Sequence, residues 1–74
     1  MGFEPMFEAY DARAVRISEG LYIARVDVNG GRVALPYRPN DRHESALLDQ
    51  SLRAAMPITA EVAVGRILRV RSRN

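Results

Sequence analysis

The chain has 74 residues, 47% of them hydrophobic, and a formal net charge of +2, so it is read as one domain, residues 1–74, with a core that is marginal at this length. Cysteine is absent, which excludes disulfides and thiol chemistry and fits a cytoplasmic setting. No apolar run approaches the roughly 18 residues of a membrane span, and no basic-then-apolar leader opens the chain.

Residues 1–12 are read as an N-terminal arm. It carries Phe3, Phe7 and Tyr10 among the acids Glu4, Glu8 and Asp11. Its plainest role is to cover one edge of a sheet. Its functional role would be to anchor a partner through Phe3, Phe7 and Tyr10, because aromatics dominate interface hot spots.

Residues 13–37 read as a three-stranded meander. Asn29-Gly30 between β-branched runs signals a two-residue hairpin turn, and Glu19-Gly20 signals a weaker one. Two-residue turns place Ile17 beside Tyr22, Val15 beside Ala24, Val26 beside Val33, Ala24 beside Leu35 and Tyr22 beside Tyr37. Directly paired residues share a face, so this register gathers one apolar side. The other side carries Arg16, Ser18, Leu21, Ile23, Arg25, Asp27, Arg32 and Ala34, with Asp27 and Arg32 as cross-strand neighbours. Pro36 and Pro39 end the third strand and make it an edge.

Residues 41–56 read as a helix. Asp41 with Glu44 resembles a capping box, and Pro57 stops the run. Leu48, Leu52, Ala55 and Met56 form its apolar stripe, flanked by Leu47 and Ser51. Asp49 and Arg53 form an outward i,i+4 pair. The stripe is the expected lid for the apolar side of the meander.

Residues 58–72 read as one C-terminal strand, with Gly65 marking a bulge or bend. A helix over 60–68 is the rival, but alternation through β-branched residues favours the strand. The order is then β-β-β-α-β. The expected fold class is α+β, a small antiparallel sheet with one helix packed on one face.

All 11 basic residues are arginine. Arg66, Arg69, Arg71 and Arg73 crowd the last ten positions with no acid among them. On a strand, Arg69, Arg71 and Arg73 project to one side, spaced by about 6.8 Å. Such a ladder suits phosphates or carboxylates, both of which arginine binds with two parallel hydrogen bonds. Its bland alternative is a solvated basic tail.

Catalysis is not expected. His43 is the only histidine, and the helical spacing of Asp41, His43 and Ser45 scatters them around the axis, so they form no relay. No metal or cofactor is expected. Asn29-Gly30-Gly31 precedes no helix and is a turn rather than a phosphate loop.

The leading functional expectation is a non-enzymatic interaction protein. It would be an inhibitor, regulator or adaptor, of the kind phages encode, docking on a larger protein machine, including nucleic-acid-processing ones. Its contacts would come from Arg66, Arg69, Arg71, Arg73, Phe3, Phe7 and Tyr10. Direct nucleic-acid binding through the arginine ladder, joined by Arg16, Arg25 and Arg32, is the second expectation. An enzyme subunit or a small structural homo-oligomer is the third.

Overall fold

The computed structural model describes residues 8–73. It contains β1 (Glu8–Ser18), β2 (Leu21–Val28), β3 (Gly31–Tyr37), α1 (Arg42–Ala54), β4 (Ile58–Ala63) and β5 (Arg66–Ser72). The strands form one antiparallel sheet in the order β3-β2-β1-β4-β5. The α+β class and the single helix are as expected from the sequence.

The meander register is also as expected across its second turn. Tyr22 pairs with Tyr37, Ala24 with Leu35, Val26 with Val33 and Val28 with Gly31. Asn29 and Gly30 both hold positive φ, as the mirror-image turn between right-twisted strands requires. Tyr22 and Val33 therefore lie on the same side of the sheet.

Three expectations about the strands are corrected. The N-terminal arm is not a peripheral cover from Glu8 onward: residues 8–12 belong to β1 and pair with β4 in the middle of the sheet. Val15 does not pair with Ala24. The β1–β2 register shifts between Ala14 and Arg16, so Ala14 takes that place and Val15 bulges out. The bulge bends β1, letting Glu8–Ala12 join β4 while the strand from Ala12 onward follows β2. Finally, residues 58–72 form a hairpin, β4-β5, with Val64 and Gly65 as its two-residue turn at positive φ. The bulge in this hairpin lies near Leu68, between the Glu61–Arg69 and Val62–Ile67 pairs.

Strands β4-β1-β2-β3 make a Greek key, three hairpin-connected strands with a fourth returning beside the first. The sheet curls until its edge strands β3 and β5 approach each other. Helix α1 rests mainly on β1 and β5 rather than on the meander as a whole. It closes the core formed by Ala12, Ala24, Val26, Leu48, Ile58 and Val70. Alanines at positions 12, 14, 24 and 60 keep the interior narrow enough for one short helix to fill it.

The helix ends at Ala54, with Ala55 in the left-handed conformation. Ala55 and Met56 consequently leave the stripe and are exposed. The buried stripe is Glu44, Leu48 and Ser51, with Leu52 half-buried. Two of those three are polar, and both are satisfied. The Ser51 hydroxyl accepts from the Ala14 N–H at 3.1 Å and donates to the Met56 carbonyl at 2.5 Å. The Glu44 carboxylate accepts from the Tyr37 hydroxyl at 2.6 Å, the Asn40 N–H at 2.8 Å and the Val70 N–H at 3.0 Å. The capping box forms only by half: Asp41 accepts from the Glu44 N–H at 2.9 Å, but Glu44 turns inward instead of back to Asp41. It ties the end of β3, the start of α1 and β5 together across the seam. Burial and the Glu44 carboxylate push the Tyr37 hydroxyl well above its ordinary pKa.

The Asp49–Arg53 pair is absent among the described residues. Asp49 instead accepts from the Tyr22 hydroxyl, linking the helix to β2. No described helix is long and apolar enough to cross a membrane.

Candidate functional site

The outward face of the sheet carries two arginine groups, and the register decides how each is used. On β4 and β5, Glu61 pairs with Arg69 and Thr59 with Arg71. Arg69 Nε donates to Glu61 Oε1 at 2.6 Å and Arg71 Nε to Oε2 at 3.0 Å. The two guanidinium groups cover Glu61 so fully that it is 4% exposed despite facing outward. The hydrogen bond from Arg69 is the largest influence holding the Glu61 carboxyl below its ordinary pKa; burial opposes it, and Arg71 assists. Arg73 Nη2 lies 3.4 Å from Asp11 Oδ2. The ladder thus projects to one side, as an extended strand requires, but Arg69, Arg71 and Arg73 are all engaged with acids. Arg66 is exposed and makes no ion pair among the described residues.

The second group lies on β1, β2 and β3. Arg13 and Arg25 are directly opposite each other. Both are half-buried, and neither makes an ion pair among the described residues. Like charges at directly opposed positions destabilise a sheet. Asp27, the nearest acid on β2, is held by Arg32 at 3.4 Å, through side chains 58% and 67% exposed. A pair that exposed contributes at most about 1 kcal/mol.

Arg13 and Arg25 sit between two concavities. One, of about 270 Å³, is bordered by Asp11, Asp27, Arg32 and Arg73. The other, of about 250 Å³, is bordered by Val15, Leu52 and Ala55. The bulge that displaces Val15 leaves it 44% exposed at the rim of the second concavity.

Of the aromatic arm, Tyr10 lies in β1, half-buried against the core, and its hydroxyl donates to Glu8. That hydrogen bond is the main cause of its raised pKa. Phe3 and Phe7 fall outside the described residues. His43 is exposed in the first helical turn, Asp41 is occupied as the helix cap, and the Ser45 N–H bonds the Asp41 carbonyl at 3.1 Å. No cluster of three metal-ligating side chains occurs among the described residues.

Arg13 is the residue that sequence reasoning missed. In an unbroken ladder, Val15 beside Ala24 puts Arg13 beside Val26, on the core side. The one-residue bulge carries it to the outward face, because side chains alternate with period two. No local signal marks that bulge. A charged residue landing on the core side of the unbroken register was the available hint.

No family model matches the chain, and comparison with curated proteins and with solved structures gives no match either.

Proposed function

We propose that this chain is a non-enzymatic docking module, an inhibitor, regulator or adaptor, that engages an anionic surface of a larger protein or complex. The observation that carries the reading is the directly opposed, half-buried Arg13–Arg25 pair, which has no acidic partner among the described residues. The arrangement costs stability when the chain is alone, and an anionic partner relieves that cost. The adjoining Val15, Leu52 and Ala55 supply apolar contact, and arginine beside apolar area is characteristic of protein interfaces. The test is to immobilise the wild-type chain and the Arg13→Gln/Arg25→Gln double variant and compare the proteins each retains. A stoichiometric partner lost by the variant supports the reading. Retention of no stoichiometric protein by the wild type refutes it.

Direct nucleic-acid binding is the second reading. It is favoured by the arginine row on the β1–β3 face of a curled, five-stranded Greek key, because partly open barrels of that kind include oligonucleotide binders. That is an analogy of fold, and fold alone carries no function. The C-terminal ladder lends it less than the sequence implied, since Glu61 and Asp11 already engage three of its guanidinium groups. A gel shift at low salt tests it, with affinity falling by about one log-log unit per phosphate contacted as salt rises.

A further inference from the structure

We infer that Arg13 and Arg25 form a receptor for a single acidic side chain of a partner protein, and that an apolar residue next to it in the partner seats against Val15, Leu52 and Ala55. The inference rests on the docking reading above and narrows it to one ligand chemistry.

The protein itself shows how its outward face binds a carboxylate. Glu61 lies between Arg69 and Arg71, one guanidinium on each oxygen, at 2.6 and 3.0 Å. Those two arginines leave one strand at alternate positions, about 6.8 Å apart. Arg13 and Arg25 leave neighbouring strands about 5 Å apart. The spacing is similar and the donors are the same, but no carboxylate of the described chain stands between Arg13 and Arg25. Arginine binds carboxylates through two parallel, charge-assisted hydrogen bonds.

The surroundings select an isolated carboxylate over a continuous polyanion. Asp11 and Asp27 border the same concavity, paired with Arg73 and Arg32 at 3.4 Å each. A phosphate backbone laid across the face would bring charge after charge toward these two acids. One carboxylate between Arg13 and Arg25 avoids them. The described aromatic side chains offer no stacking platform there, because Tyr10, Tyr22 and Tyr37 all pack with the core. Base stacking is the usual partner of arginine in single-strand binding. Ala14, Val15, Leu52 and Ala55 line the second concavity beside Arg13 and Arg25, which suits an apolar residue next to the acid in the partner.

The experiment uses the full chain, with arginine Nε–Hε resonances followed by NMR. The probe is a capped peptide holding one glutamate followed by one leucine in a serine-glycine background. Saturable shifts confined to Arg13 and Arg25 are expected. Replacing the probe's glutamate by glutamine abolishes them, and replacing its leucine by serine weakens binding by about threefold or more. Arg13→Gln/Arg25→Gln weakens binding by about tenfold or more, while Arg42→Gln leaves it unchanged. Absence of saturable shifts overturns the inference, as do equal shifts at Arg69 and Arg71. Stronger binding of a short oligothymidylate at Arg13 and Arg25 overturns it too, and assigns the face to nucleic acid. A stoichiometric protein partner retained equally by wild type and double variant overturns the receptor while leaving the docking reading intact. Peptide binding at Arg13 and Arg25 with no such partner leaves the receptor and removes the docking reading.

Discussion

Glu44→Gln is the sharpest test of how this small sheet is held closed. The carboxylate accepts three hydrogen bonds, two on Oε1 from Tyr37 and Asn40 and one on Oε2 from Val70. A glutamine oxygen can keep the first two, though without charge. Its amide then faces the Val70 N–H, donor against donor, at a buried position, residue 44 being 6% exposed. Hydrogen bonds to a charged group are each worth about 1.5–3 kcal/mol, against about 1 for neutral ones, and an unsatisfied buried donor costs about 1–3 kcal/mol. Relief from burying a charge offsets part of this, leaving a net loss of roughly 2–4 kcal/mol. For a domain of this size each kcal/mol moves Tm by about 4–8 °C, so thermal and urea unfolding followed by circular dichroism resolve the change easily. Amide hydrogen exchange gives the local readout: protection at Val70 drops more than at Val26, which is hydrogen-bonded within the sheet's interior. An unfolding free energy within about 0.5 kcal/mol of wild type, the ordinary scatter of surface changes, with Val70 still protected, would show that Glu44 does not hold the seam closed.

Ser51→Ala strands the Ala14 N–H and the Met56 carbonyl together, and urea unfolding should show a loss of about 2 kcal/mol. Val64→Asn should raise stability by roughly 0.5–1 kcal/mol, measured the same way, because a β-branched residue is strained at the φ of +54° that Val64 holds, and asparagine adopts it readily. Val64 is 99% exposed, so no packing is lost. Glu61 has a folded-state pKa depressed below its ordinary 4.5. Its contribution is therefore present above pH 4.5 and is lost as pH falls from there through the folded value. A stability–pH series should show that acid-side decline in wild type, and a shallower one in Glu61→Gln.

Local chemistry made the meander legible. Asn29-Gly30 and Glu19-Gly20 are short-range signals, and alternation between them set which residues share a face. The expected neighbours from Tyr22–Tyr37 to Val28–Gly31 are all present. The helix start was legible for the same reason, since Asp41 caps it within three residues of Glu44. Its end was misplaced by two residues, because the apolar pattern ran through Ala55 and Met56 where the backbone turns left-handed. Val64-Gly65 was not legible as a turn. Valine avoids positive φ, and only the pairing of β4 with β5 imposes it.

Sequence sufficed for the class of the fold and for which residues of the β2–β3 hairpin share a side, because turns and alternation act over a few residues. Tertiary structure alone decided that Glu44 and Glu61 are buried, that Arg69 and Arg71 are spent on Glu61, and that Arg13 meets Arg25. Each of these depends on strands distant in the chain coming side by side. A buried carboxylate is tolerated only where donors converge on it, and the Val70 N–H that reaches Glu44 comes from 26 residues away.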